Sequence, residues 1–204
     1  MELDSPQLLA AARAAIARDG LFMLQDPVLP CLAHLVAGEK VRGSWWGHPA
    51  GEAIFAVASA LYDERDVATV KLVAEKVTFV HRRLWPAMVS IGRAREKWQT
   101  DALPASARAL LERVESEREV ELGGASADGK LLVARLLVYG TQRHTVAGRH
   151  ANVLRSWKQF VAERDVKGRL PTPVAAREEL ETAVANWAGA ERKRAPLPCQ
   201  SKRR

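Results

Sequence analysis

The sequence has few cysteines, few aromatic residues and no long apolar run. Cys31 and Cys199 are its two cysteines, and they do not have the spacing of a metal or redox pair, so neither structural zinc nor a disulfide framework is expected. The longest uncharged apolar run, 53–62, is about half as long as a bilayer crossing requires. Charged residues interrupt 1–25, which argues against a secretory signal. We therefore expect a cytoplasmic protein that does not associate with membranes.

Several common catalytic motifs are also missing. The chain contains no GxxxxGK[ST], no GxGxxG after a predicted strand, no GxSxG and no HExxH. P-loop nucleotide hydrolysis, dinucleotide redox chemistry, the usual serine hydrolase site and HExxH zinc proteolysis are therefore disfavoured. No cofactor and no metal site are expected.

The charge balance is basic. The 204 residues include 31 Lys and Arg against 24 Asp and Glu, which gives a formal net charge of +7. A surplus of this size attracts polyanions, so it predicts a nucleic-acid partner. The surplus is unevenly distributed, since 101–128 is acidic and 191–204 is strongly basic.

Three helices are predicted in the N-terminal part. A cap residue, an early proline and a terminal glycine delimit 5–20 and 26–38. A third helix is predicted from Pro49 to about Tyr62. The apolar residues expected on the buried face of this third helix are Ile54, Phe55, Ala58 and Leu61.

Short strands are predicted around these helices. An apolar run, 21–24, follows the first helix. The β-branched runs 67–73 and 77–80 are separated by 74–76, which is the length of a three-residue hairpin turn. The two runs therefore predict a β-ribbon.

The order helix, strand, helix, helix, strand, turn, strand resembles a winged-helix domain over 1–83. In that family the third helix usually enters the major groove, so the resemblance places 49–62 at the groove and 74–76 in the wing. This helix carries Glu52 and Asp63, whereas base-reading helices carry Arg, Lys, Asn or Gln. We expect it to pack against the protein instead of reading bases.

The rest of the chain is predicted to be helical. A helix is expected to begin at Pro86, and another at Thr172. The run 131–139 is apolar on nearly all sides, so its periodicity fits either a buried helix or a buried strand. We predict a helix. The segment 150–164 has the clearest amphipathic helical pattern in the chain.

The predicted fold class is mainly α with a small β-hairpin. A winged-helix-like N-terminal half would be followed by a helical C-terminal half. The corresponding domains are a winged-helix-like domain at 1–100 and a helical domain packed on it at 101–190. The basic residues 191–204 would form a disordered tail.

A glycine-flanked segment with two adjacent indoles, 42–49, is the most unusual part of the sequence. Neighbouring side chains in an extended loop point to opposite sides, so one indole would join the core and the other would line a surface or pocket. Pro49 places the loop at a helix N-terminus, which attracts anions. A phosphate beside a stacking ring suits a nucleotide, so Arg42, Trp45 and Trp46 are predicted to bind nucleic acid. In the alternative interpretation, both indoles fill a helix junction.

Two polar clusters provide further candidates. His81, Arg82 and Arg83 lie at the end of a predicted strand, where alternation prevents all three from facing one pocket. The arginines would contact phosphate and His81 would transfer a proton or donate a hydrogen bond; alternatively, the cluster is a solvated strand end.

The second polar cluster lies in a turn between two apolar elements. It contains His144, Arg149 and His150, which are predicted to contact nucleic acid. The spacing of the two histidines is not a recognised zinc spacing, so no metal is expected there.

Base removal from DNA requires a stacked, extruded base and one general base. Glu52 follows His48 by one helical turn, so both can lie near the indoles. Glu52 is the predicted general base, with His48 and His81 as the other catalytic candidates. The sequence therefore predicts a nucleic-acid-binding protein, for DNA more than RNA, and, if it is an enzyme, a glycosylase-type hydrolase. The alternative is a non-catalytic winged-helix module for regulation or protein interaction.

Overall fold

The structure is a computed structural model that describes residues 5–124, 126–144 and 150–200. The chain is mainly helical and has two small three-stranded antiparallel sheets. It forms two compact units. The first is drawn from Met1–Trp85 and Glu179–Leu197, and the second from Pro86–Glu178 and Pro198–Arg204.

The first unit contains three helices around one sheet. Its elements are α1 (Ser5–Asp19), β1 (Leu21–Met23), α2 (Leu32–Ala37), α3 (Gly51–Tyr62), β2 (Val67–Lys71) and β3 (Val77–His81). The sheet has the order β1-β3-β2, with all pairs antiparallel. The β-ribbon predicted from the sequence is thus confirmed, and the short strand after α1 joins it as a third strand.

Helical periodicity explains the core of this unit. Ala12 and Ile16 on α1 and Ile54 and Leu61 on α3 are fully enclosed, and α1 packs on both α3 and β3. Phe79 on the central strand β3 is also fully buried. These contacts fix α3, and with it the loop that precedes α3, on the sheet.

The second helix begins later than the sequence predicted. One carboxylate oxygen of Asp26 accepts hydrogen bonds from the backbone N–H groups of Val28 and Leu29, each at 2.9 Å. Such a local side-chain bond offers the backbone an alternative to the helix. Since Pro30 also disfavours a helical conformation in the residue before it, α2 starts only at Leu32.

The burial of α3 differs from the prediction at one residue. Ile54, Ala58 and Leu61 are buried as expected, but Phe55 is 42% exposed. Residues i and i+1 of a helix are about 100° apart, so Ile54 and Phe55 cannot both point into a narrow interface. The ring of Phe55 therefore remains on the surface.

The second unit is mainly helical, as predicted, but it also contains a three-stranded sheet that the prediction of a helical C-terminal half did not include. The helices are α4 (Trp85–Ala94), α5 (Lys97–Thr100), α6 (Ala105–Ser116), α7 (Ala127–Ala134), α8 (Trp157–Glu163) and α9 (Pro173–Ala188), the last of which continues into the first unit. The strands are β4 (Val120–Leu122), β5 (Tyr139–His144) and β6 (His150–Arg155), in the order β4-β6-β5.

The predicted amphipathic helix at 150–164 divides into β6 and α8. Ser156 starts α8, because its hydroxyl accepts a hydrogen bond from the Gln159 backbone N–H while the Gln159 side chain accepts one from the Ser156 N–H. The residues before this capping box pair with β4 and β5. The run 131–139 likewise divides, since α7 ends at Ala134 and Tyr139 begins β5.

The C-terminal residues differ from the expected disordered tail as far as Gln200. Residues Gly189–Arg194 form a 3-10 helix, and Ala195, Leu197 and Cys199 are buried. The burial of these three small or apolar residues could not be predicted from a segment whose composition is mainly basic. Among the described residues, no helix is long and apolar enough to cross a membrane.

We predict that Gly92→Ala destabilises the second unit by about 3 kcal/mol. A Cβ at this position would lie 2.1 Å from Nε1 of Trp157, a buried ring whose Nε1–H donates to the backbone oxygen of Leu136 at 2.7 Å. Denaturant unfolding measures the effect. Gly123→Ala is the matched control, because a Cβ there meets no atom within 4 Å, and equal stability of the two variants would contradict the packing account.

Candidate functional site

The two indoles lie in a 3-10 turn, Trp45–Gly47, directly before α3. Trp45 is 7% exposed and Trp46 is 66% exposed. One indole is therefore buried and one open, as the sequence suggested. The turn brings the rings together instead of separating them, so that they stack with centroids 4.1 Å apart and planes inclined by 23°. A buried ring thus supports the exposed ring from one side.

The exposed ring continues into a small aromatic surface, which consists of Trp46 and Phe55. Their centroids are 5.5 Å apart. Tyr62 lies seven residues after Phe55 on α3, on the same side of the helix, and is 43% exposed. Among the described residues, Trp46 is the most exposed large apolar side chain.

Gly51 allows this turn to pack tightly on the start of α3. A Cβ at Gly51 would lie 3.0 Å from the backbone oxygen of Trp45 and 3.2 Å from that of Trp46. The backbone N–H of Gly51 donates to the His48 oxygen at 2.8 Å, and the His48 N–H donates to the Trp45 oxygen at 3.1 Å. The position of the indole pair is therefore set by backbone contacts.

Both ring nitrogens of His48 take part in local contacts. Its Nδ1 accepts a hydrogen bond from the Ala50 backbone N–H at 3.1 Å, and its Nε2 lies 3.3 Å from a carboxylate oxygen of Glu39. This arrangement places the ring proton on Nε2, where it points at Glu39. His48 therefore orients the turn, and Glu52 stands exposed in the first turn of α3.

A cleft of about 520 Å³ opens beside Trp45. Its walls come from the loop after β1, the tryptophan loop and the β2–β3 turn. They are formed by Leu24, Gln25, Asp26, Pro27, Val41, Gly43, Trp45, Lys71, Glu75, Lys76 and Val77. The cleft therefore combines an indole, an amide and charges of both signs.

The charges of the cleft are partly paired. Nζ of Lys76 lies 2.7 Å from the buried carboxylate of Asp26. Burial opposes ionisation of Asp26, but the N–H groups of Leu29 and Val28 and the Lys76 ammonium together hold its pKa below the usual value. Lys71 is exposed at the end of β2, and no described residue forms an ion pair with it. Lys71 is thus available to an anion.

The predicted arginines have different surroundings. Arg42 is exposed next to the tryptophan turn. Arg82 lies 3.1 Å from a carboxylate oxygen of Asp66. Arg83 donates to the last carbonyls of α1, at 2.7 Å to Ala17 and 2.9 Å to Arg18. Arg83 therefore caps a helix C-terminus, which favours a cation.

His81 ends β3, and its Nδ1 accepts a hydrogen bond from the Arg83 backbone N–H at 3.4 Å. Burial lowers the pKa of His81, and the nearby Arg83 guanidinium lowers it further. Within the described ranges, no hydrogen bond or ion pair joins His81 to His48 or Glu52. The three catalytic candidates are therefore not linked as a hydrogen-bonded set.

The remaining candidates belong to the second unit. His144 and His150 are register partners at the open ends of β5 and β6. Arg149 lies outside the described residues. No cluster of three or more His, Cys, Asp or Glu side chains suited to a metal ion occurs in the described part of the chain.

Sequence reasoning missed Phe55, Asp26, Lys71 and Lys76. Lys76 is the last residue of the predicted wing turn and Lys71 lies three residues before the turn, which was a usable signal for a cationic wing. Phe55 follows Ile54 directly, and adjacent bulky apolar residues on one helix indicate that one of them faces outward. Asp26 was interpreted as a helix cap, so its position in a cleft could not be inferred.

No family model matches this chain, and neither the curated proteins nor the solved structures contain a match. Inferences about function therefore depend on the geometry of these residues.

We predict that the first unit loses stability as the pH falls below about 6.5, the usual pKa of histidine. Burial lowers the pKa of both His34 and His81 in the folded protein. The unfolded chain consequently binds more protons than the folded chain between the lowered pKa values and 6.5, so stability increases with pH over that window. Denaturant unfolding at pH 7.5 and 5.5 measures this loss. His34→Gln combined with His81→Gln should reduce it, and an unchanged loss in that variant would exclude the two imidazoles as its cause.

Proposed function

We propose that the first unit is a nucleic-acid-binding module in which Trp46 stacks on an unpaired base. The observation that carries this proposal is the 66% exposure of Trp46 while its ring is supported by buried Trp45. Stacking on aromatic rings is the common way in which proteins hold single-stranded nucleic acid, and a preorganised ring loses little entropy on binding.

The neighbouring cations support the same function. Arg42 lies in the tryptophan loop, and Lys71 and Lys76 line the cleft that Trp45 borders. A base on Trp46 would be followed along the strand by phosphates, which Arg42 and Lys71 would neutralise, while Lys76 adds positive charge beside its partner Asp26. The cleft has enough volume for a neighbouring nucleotide unit.

We also propose a winged-helix arrangement for this unit. Its element order and the sheet order β1-β3-β2 support the assignment, with residues 74–76 in the connection between β2 and β3 as the wing. In this arrangement α3 would occupy the groove position. Its outward side carries Glu52, Phe55, Tyr62 and Asp63, which offer neither a cation nor an amide to a duplex. Unpaired nucleic acid is therefore favoured over sequence reading in a major groove.

A substitution of the exposed ring tests the proposal. Trp46→Ala should weaken binding of a fluorescein-labelled oligo(dT) by about 1 to 3 kcal/mol, because one stacked base is lost. Fluorescence anisotropy at a fixed salt concentration measures the affinity. Val174→Ala is the control, since Val174 is a 60% exposed apolar residue of the second unit. Equal affinity of Trp46→Ala and wild type would refute stacking on this ring.

Base excision from DNA stays a prediction, and it depends on Glu52. If the protein releases a base, Glu52→Gln should abolish the release and leave binding unchanged, because the amide cannot accept a proton from water. Alkaline cleavage of damaged and modified oligonucleotides reveals the abasic sites. Glu121→Gln, an exposed carboxylate of the second unit, serves as the control. Release that survives in Glu52→Gln would assign the chemistry to another group.

Protein interaction is the second candidate function, and the outward side of α3 favours it. Phe55 and Tyr62 are partly exposed there beside the carboxylates of Glu52 and Asp63. Salt dependence separates the two functions, because neutralisation of several phosphates makes log affinity fall linearly with log salt concentration. No binding of oligonucleotides at low salt would favour protein interaction.

A further inference from the structure

The C-terminal residues and the wing are joined in the first unit. The backbone N–H of Ala74 donates to the Pro196 oxygen at 2.9 Å. Ala195 and Leu197, on either side of Pro196, are 0% and 4% exposed. We call residues 189–197 the strap. It is therefore a packed part of this unit at the position of the wing.

The wing has a backbone conformation that needs such support. Ala74 and Glu75 both have left-handed angles, with φ of 50° and 57°, and L-residues adopt this region at an energetic cost. Hydrogen bonds hold the turn on both sides. The buried hydroxyl of Thr78 accepts from the Val73 N–H and donates to the Lys76 oxygen, and the Pro196 oxygen of the strap accepts from the Ala74 N–H.

The strap carries a run of cations directly before its buried part. Arg192, Lys193 and Arg194 are all exposed. Arg194 pairs with Glu191 at 3.1 Å, whereas Arg192 and Lys193 form no ion pair with a described residue. Because Arg194 lies only two residues before Pro196, the hydrogen bond between Pro196 and Ala74 keeps these cations close to the wing.

We propose that the wing and the strap form one phosphate-binding surface for a nucleic-acid strand. Its cations are Lys71 and Lys76 of the wing hairpin and Arg192, Lys193 and Arg194 of the strap. The carboxylates near it are Glu75, Glu191 and Asp26, of which the last two are paired with Arg194 and Lys76. The surface retains a positive excess, which suits the regularly spaced phosphates of a nucleic-acid strand.

This inference rests on the proposed function, since it extends the strand that begins at Trp46. It assigns to the C-terminal residues the role of holding cations beside the wing, which their basic composition alone does not predict. A freely moving tail would attract a polyanion from no fixed position, whereas the packed strap holds its charges beside the wing. The strap is then a positioning element for the wing as well as a source of phosphate contacts.

Removal of the unpaired strap cations tests the surface. In the full-length chain, Arg192→Ala with Lys193→Ala should reduce the slope of log affinity against log salt by about 1.4 for oligo(dT), as expected for the loss of two phosphate contacts on a single strand. Lys130→Ala with Lys158→Ala removes the same charge from exposed positions of the second unit and should leave the slope nearly unchanged. Equal slopes for the two double variants would overturn the inference.

A second variant tests the position of the strap with every cation retained. Leu197→Ser removes the buried anchor, so hydrogen exchange at the Ala74 amide should accelerate and affinity for oligo(dT) should fall at least threefold. Exchange and affinity equal to wild type would overturn the positioning role. If the Leu197→Ser variant does not fold, the exposed pair Arg192 and Lys193 still decides the inference, because those substitutions touch no buried contact.

The outcomes also separate this inference from the function it rests on. Wild type that fails to bind oligo(dT) at low salt would refute the proposed function and the surface together. Wild type that binds, with Trp46→Ala weakened and the strap variants unaffected, would retain the function and reject the surface.

Discussion

The stacking of Trp45 on Trp46 is the interaction on which the candidate site depends. Trp45 is anchored in the protein, and its ring lies 4.1 Å from the exposed ring of Trp46. The close approach of Gly51 to the backbone of this turn fixes the pair at the start of α3. An isolated surface indole would sample several rotamers, whereas this one has a partner that favours a single orientation. The exposed face of the Trp46 ring is thereby held in one orientation without a ligand, as the proposed stacking on a base requires.

The second constraint is the distribution of charge around that ring. Cationic groups that form no ion pair with a described residue lie at the wing, with Lys71 in the cleft and Lys193 in the strap, while the outward side of α3 carries Glu52 and Asp63. A polyanion is repelled by the helix and attracted by the wing. Under the proposed function, electrostatics would therefore direct a strand along the β2–β3 turn and away from α3, which agrees with the absence of base-reading side chains on that helix.

Elements with strong local signals were predictable from the sequence, and elements that depend on distant partners were not. Helix α1 and the β2–β3 ribbon follow from a terminal glycine and from β-branched runs, which act within a few residues. Strand β6 forms because it pairs on both sides, with β5 residues 6 to 16 positions earlier and with β4 residues 30 to 34 positions earlier in the chain, and a pattern that also fits a helix cannot reveal that pairing. Burial of Leu197 is equally non-local. At the site, one exposed indole was predictable from the two adjacent tryptophans. The cleft was not predictable, because it forms only where three loops that are separate in the sequence come together.

Residue type proved a weaker guide to the site than the local environment of each side chain. Arg83 and Lys71 are both basic residues near the end of a strand. The guanidinium of Arg83 is used by the carbonyls at the end of α1, and replacing those contacts by a ligand would leave helix carbonyls unsatisfied. The ammonium of Lys71 forms no ion pair with a described residue, so it can bind a phosphate without breaking a contact that stabilises the fold. The same reasoning applies to His48, whose ring nitrogens already hold the tryptophan turn. A group that the fold needs is poorly placed to act on a substrate, and this favours binding by Trp46 and the free cations over chemistry by the histidines.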